Sequence, residues 1–322
     1  MARFKIHHIT RYTYDSPVRD SANQVMLFPV KDEFQDVVRQ ELNISGDPDL
    51  DIFKDYYGNE IGSFTHREPH LELVIDSKVE VVTHPRSTPK DEMPAQEQWS
   101  YLKTLNNQVP YIDFLNREQF VGMEELMQVI AAQECDDCTP LESVKKMADF
   151  VFTNFKYIKG ITSVETTLDE IWKLRAGVCQ DFAHILLVML RIRNIPARYV
   201  SGYICPNKNG MRGESATHAW VEAYIPSYGW VGIDPTNNCI ANGLHVRLAV
   251  GRNFSDCSPV RGIYKGGLEH VLEVGVSVSY EDGRTSEDAS AILRPQPAKN
   301  TGQQNSYRKY LEMMQQQQQQ QQ

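Results

Sequence analysis

Apolar and polar residues alternate from Phe4 to Tyr14, FKIHHITRYTY, with Phe4, Ile6, His8, Thr10, Tyr12 and Tyr14 on one parity. A period of two is the mark of a strand with one buried face. The alternation continues through VVRQELNIS, DLDIFKDYYGNEIGSFTH and HLELVIDSKVEVVTH, and YYGNEIG supplies a Gly-Asn turn between two runs. Residues 1–82 thus read as strands without a helix, which predicts a small β-sandwich domain over residues 1–90. THPRSTPKDEMPAQE, residues 83–97, carries three prolines and mixed charge and reads as a linker.

Beyond the linker the period becomes helical. FVGMEELMQVIAAQ is one such segment. TPLESVKKMADFVFTNF is another, and its start is legible: Thr139 caps, Pro140 fits the first helical position, and Glu142 completes a capping box. A third apolar helix is AGVCQDFAHILLVML, residues 176–190. After Asn194-Ile195-Pro196 the period returns to two in ARYVSGYI, HAWVEAYI, GWVGID and HVLEVGVSVSY. The fold class is therefore α+β, with a second domain over 98–285. From Ser286 the apolar content falls, and the chain closes on eight glutamines from Gln315, a low-complexity tail over 286–322.

The 322 residues are 41% hydrophobic and 23% charged, a globular composition. A net charge of −9 opposes nucleic acid and anionic membrane surfaces, so neither is an expected partner. No apolar run approaches the ~20 residues that span a bilayer. MARFKIHHITRYTYDSP lacks a signal-peptide core, which makes the cytoplasm the expected compartment and the six cysteines expected thiols.

One cysteine stands apart. Cys179 sits at the mouth of the third helix, where unpaired N–H groups and the macrodipole favour a thiolate. Gly177 predicts a tight turn into the helix, and Ala183, Leu186, Leu187 and Leu190 would bury its far side. Two partners follow. In THAWVEAYI, His218, Trp220, Glu222 and Tyr224 share one parity; in WVGIDPT, Trp230, Gly232 and Asp234 share one. If Tyr224 lies opposite Trp230 across the Pro226-Ser227-Tyr228-Gly229 turn, Trp220 lies opposite Asp234, and His218 becomes Asp234's diagonal neighbour. A slip of one residue would separate them. With this register, Asp234 orients His218 and His218 exchanges the proton of Cys179.

The stretches GVCQDFAH, NIPARYVSGYI and HAWVEAYIPSYGWVGIDPT resemble the transglutaminase-like superfamily, and IHHITRYTYDSPV with DYYGNEIGSF is similar to its bacterial N-terminal region. The resemblance implies a papain-like core, a cysteine-bearing helix packed on an antiparallel sheet, with Cys179 as nucleophile, His218 as general acid/base and Asp234 as orienting acid. It implies an acyl-thioester enzyme acting on peptide or protein amides. Hydrolysis is favoured over transfer to an amine, because no acceptor site is legible.

The Cys179 N–H is the natural oxyanion donor. Gln180 and Tyr157 are candidates for the second donor, and Trp220 and Trp230 are candidates to line a pocket. No cofactor is expected, and no EF-hand spacing calls for calcium. His184 and Asp181, three apart on the catalytic helix, are candidates for a local pair. Two rivals stand: a non-catalytic scaffold on the same fold, and a redox or metal protein built on Cys135 and Cys138, although zinc normally needs a second cysteine pair.

Overall fold

The computed structural model of the chain describes residues 1–133, 137–205, 211–212, 217–265, 270–280 and 293–295. The predicted tail over 286–322, except 293–295, and Cys135 lie outside the described residues. In chain order the elements are β1 (Ala2–Val25), β2 (Gln35–Ile44), β3 (Leu50–Lys54), β4 (Glu60–His66), β5 (His70–Thr83), α1 (Ala95–Thr104), α2 (Met123–Gln133), α3 (Pro140–Asn154), β6 (Lys156–Tyr157), α4 (Leu168–Leu174), β7 (Ala176–Gly177) and α5 (Cys179–Ile192). There follow β8 (Ala197–Ile204), β9 (Thr217–Ile225), β10 (Gly229–Asp234), β11 (Cys239–Ile240), β12 (His245–Gly251), β13 (Val260–Lys265), β14 (His270–Tyr280) and β15 (Arg294–Pro295). Two compact units share this chain: Met1–Ser87, Val200–Ala219 and Ala241–Gln296 form one, and Thr88–Tyr199 with Trp220–Ile240 belongs to the other.

The first unit is organised by β1, which serves two sets of partners. Its first half pairs with β5 and β14, from Phe4↔Val81 and Phe4↔Tyr280 onward; its second half pairs with β4 and β13. The register shifts between Thr13 and Val18 and between Arg19 and Ala22, where Asp20 takes a positive φ of 49°. Phe4, Ile6, Phe64, Ile75, Val81 and Val276 meet in one core fed by both halves. The alternation of residues 4–14 is thus a real buried face. The N-terminal sheet is nonetheless not made from residues 1–90 alone. β13 and β14, expected in the second domain, complete it, because the middle of β1 has two edges and the early strands supply only one of them.

His8 lies on the buried face, 1% exposed, with Nδ1 2.8 Å from the Tyr203 hydroxyl and Nε2 3.2 Å from Thr10 Oγ1. Burial first, and then His7, pushes its pKa down to about 4. In the unfolded chain the proton binds near 6.5. The stability that neutral His8 contributes is complete above pH 6.5 and is lost as pH falls toward 4, where the unfolded state holds the extra proton. His8→Gln is expected to flatten the dependence of Tm on pH between 7 and 4.5. An unchanged slope in thermal unfolding would show that other groups carry it.

In the second unit α3 begins as predicted. Thr139 Oγ1 accepts from the Glu142 N–H at 3.2 Å and Glu142 Oε2 from the Thr139 N–H at 3.0 Å, with Pro140 in first place. α4 repeats the device with Thr167 and Glu170. Cys138, just ahead of α3, is disulfide-bonded, contrary to the expectation of six thiols; Cys179, Cys205, Cys239 and Cys257 are thiols outside any disulfide. The remaining sheet runs β11-β10-β9-β8-β12. On β9, from His218 to Ala223, both parities are buried, as befits a central strand.

Candidate active site

Cys179 is the first residue of α5 and half-buried. Helix formation follows from the apolar side, where Ala183, Leu186, Leu187 and Leu190 are all 1% exposed or less. The approach to Cys179 is held by a two-residue parallel pairing, Lys156↔Ala176 and Tyr157↔Gly177, extended by Ile158 N–H to Gly177 O at 2.9 Å. The sharp turn predicted at Gly177 falls instead at Arg175, the left-handed cap of α4 (φ 49°). Gly177 is needed for another reason: a Cβ there would collide with the Asp181 carboxylate.

Val178, the cap residue of α5, has no side-chain oxygen. Asp181 supplies the other half of a capping box, its Oδ2 accepting from the Val178 N–H at 2.7 Å. The same oxygen accepts from Thr162 Oγ1 at 2.6 Å. Asp181 is 1% exposed, and burial pushes its pKa up to about 6 against these two hydrogen bonds, which pull it down. The predicted Asp181–His184 pair is therefore superseded by these partners, while the His184 ring packs on Tyr199 with centroids 5.4 Å apart. Among the described residues, the backbone N–H groups of Cys179 and Gln180 have no hydrogen-bond acceptor. Such groups at a helix start are available to an oxyanion.

His218 is the second residue of β9, 1% exposed. Its ring lies beside that of His245, with centroids 6.3 Å apart and a ring nitrogen of each within 4.8 Å of the other. His245 opens β12, 5% exposed, and its Nδ1 accepts from the Asn242 N–H at 3.2 Å, which leaves the proton of the neutral ring on Nε2. Sequence reasoning missed His245, and no local signal points to it, since it lies 27 residues beyond His218 in a different run.

Asp234 ends β10 and is fully buried. Its Oδ1 accepts from the N–H groups of Thr236 (2.9 Å) and Asn237 (3.3 Å), and Oδ2 from Asn237 Nδ2 at 2.8 Å. The carboxylate thus also builds the turn that Asp-Pro favours. β10 pairs with β9 in the register the side-chain parities demanded, Trp230↔Tyr224 through Ile233↔Val221. One more step sets Asp234 level with Trp220, and His218 shares Trp220's parity on β9.

Of the other candidates, Gln180 is half-buried, and Tyr157 packs edge-on against Phe182 with centroids 6.2 Å apart. Trp220, 1% exposed, is core and offers almost no surface for a substrate. Trp230 stands four residues up β10 from Asp234, roughly 13 Å along the strand, packed against Tyr111, Phe114 and Tyr224 with the Arg198 guanidinium 4.3 Å above it.

A half-buried thiol at the head of a buried helix, in a chain whose strands also carry a buried histidine and a buried aspartate, has known counterparts. Residues 130–235 match the model of the transglutaminase-like superfamily, and residues 4–82 that of the bacterial transglutaminase-like N-terminal region. An uncharacterized protein of Mycobacterium leprae is 30% identical over 87% of this chain and 99% of its own length. The chain belongs to the transglutaminase-like superfamily. A candidate cysteine protease from Cytophaga hutchinsonii has the same fold, with a TM-score of 0.70 over 92% of this chain and 97% of its own, at 20% identity. A protein-glutamine gamma-glutamyltransferase of Pseudomonas aeruginosa is 31% identical over 33% of this chain and 17% of its own length. This membership supports a cysteine-dependent enzyme acting on amides. No helix among the described residues is long and apolar enough to cross a membrane.

Proposed function

We propose that the protein is a cysteine hydrolase of peptide or protein amide bonds working through Cys179, His218 and Asp234. The observation that carries the reading is Cys179 itself: a half-exposed thiol at the head of a buried helix, next to backbone N–H groups with no acceptor. In the first step the Cys179 thiol passes its proton to His218 as Sγ bonds to the amide carbon, and the electrons of the C=O pass to an oxyanion received by those N–H groups. The C–N bond then breaks, and His218 gives its proton to the departing amine. In the second step His218 takes a proton from water as the water attacks the thioester; the C–S bond breaks, the acid leaves, and His218 returns the proton to Cys179 to restore the thiol. Asp234 holds the His218 ring in the tautomer this requires. No cofactor enters the cycle, and the proposed compartment is the cytoplasm. An amine in place of water in the second step would give transamidation, the second reading, favoured by the named activity of the Pseudomonas relative.

The test is alkylation of Cys179 by iodoacetamide at pH 6.5, resolved from the other cysteines by peptide mass spectrometry. His218→Ala is expected to slow labelling about 100-fold, the low end of what a paired base contributes. Equal rates in the two proteins would remove His218 from the site and favour a scaffold on this fold.

A further inference from the structure

The helix that bears Cys179 opens differently from the two helices before it. α3 and α4 begin with Thr-x-x-Glu boxes in which the threonine oxygen accepts from the N–H of the third helical residue. At α5, Val178 replaces that threonine and the shorter Asp181 replaces the glutamate. The anchoring half of the box is kept, with Asp181 Oδ2 on the Val178 N–H, while the third-residue N–H, that of Asp181, turns to the Val178 carbonyl oxygen at 3.0 Å instead of to a side chain. A full box here would place a side-chain oxygen where an oxyanion needs donors. Asp181 reaches its bond from the buried side, through the space that Gly177 leaves by having no Cβ. The Thr162 hydroxyl, on the same oxygen, ties this start to the loop after β6.

We infer that Asp181 is a positioning residue for the nucleophile: one oxygen of its carboxylate clamps the Val178 N–H and the Thr162 hydroxyl, fixing the first turn of α5 while leaving the N–H groups of Cys179 and Gln180 open to the reacting carbonyl oxygen. The inference rests on Cys179 as the nucleophile. Asp181 touches neither substrate nor thiol; it acts by holding the donors in place. Hydrogen bonding at a single oxygen accounts for the clamp, and an amide oxygen can accept the same two bonds.

The experiment compares wild type, Asp181→Ala, Asp181→Asn and Cys179→Ala with two probes. Acylation by p-nitrophenyl acetate, read as the p-nitrophenol burst, needs a thiolate and oriented oxyanion donors. Alkylation by iodoacetamide needs the thiolate alone. Asp181→Ala is expected to slow acylation about 10- to 100-fold, approaching the loss of one oxyanion donor, with alkylation within about threefold of wild type. Asp181→Asn is expected to recover acylation to within about threefold.

A folded Asp181→Ala that acylates at the wild-type rate would overturn the inference. So would an equal loss in Asp181→Asn and Asp181→Ala, because charge rather than the clamp would then be what matters. If Asp181→Ala does not fold, Thr162→Val removes one of the two bonds and is expected to slow acylation several-fold with alkylation retained; no change would again overturn the clamp. A burst that survives in Cys179→Ala would refute the nucleophile assignment instead, a result distinct from any of these.

Discussion

Cys179→Ala is expected to abolish turnover, lowering kcat/KM by about 10⁴-fold or more, because removing a covalent nucleophile leaves only binding and oxyanion stabilisation. The fold should survive. Cys179 is half-exposed at the first position of α5, and alanine is the best helix former, so Tm is expected to stay within about 2 °C. The assay follows ammonia release from a glutamine-containing peptide, with and without monodansylcadaverine. Activity that persists in the variant would end the cysteine-enzyme reading. In the wild type, ammonia release without amine incorporation marks a hydrolase. Incorporation that outruns hydrolysis marks a transferase and replaces the first reading of the second step.

Phe182→Ala is expected to have the largest effect on stability. Phe182 lies three residues past the nucleophile, has no exposed surface, and meets Phe155 and Tyr157 edge-on at 5.9 and 6.2 Å between ring centroids. Truncating a buried phenylalanine costs about 3–5 kcal/mol, the lost transfer energy plus the cavity left behind. For a chain of this size that corresponds to a fall in Tm of roughly 10 °C. Circular dichroism melts would measure it. Because Tyr157 pairs with Gly177 just ahead of Cys179, the cavity opens behind the nucleophile's own approach. Thiol labelling per folded molecule should therefore fall too. A Tm change under about 2 °C would mean that the helix core tolerates the loss and that its support of Cys179 lies elsewhere.

Much of this was written locally in the chain. The period-two run of residues 4–14, the Thr139–Glu142 box and the apolar side of α5 each concern residues within a few positions of one another, where sterics and short hydrogen bonds decide. The β9–β10 register was legible for the same reason, since four turn residues and two parities allowed one pairing with Trp230 opposite Tyr224. Two features escaped for want of a local trace. α1 and α4 are short and lie in or beside stretches that read as linker or loop. On β9 nothing local marked Glu222 as fully buried, with its Oε2 within 2.8 Å of Arg198 Nε.

By itself, then, the sequence determined which of the long periodic segments become strands and helices, where α3 begins, and which residue types stand at Cys179, His218 and Asp234. Only the tertiary structure decided their surroundings: that β13 and β14 pair with β1 some 250 residues away, that His245 lies beside His218, and that Thr162 and Val178 converge on one oxygen of Asp181. The physical division is one of range. Periodicity and caps act within a turn or two of chain, whereas these contacts form only after loops close, and their partners are selected by which buried faces and unpaired backbone edges remain to be satisfied.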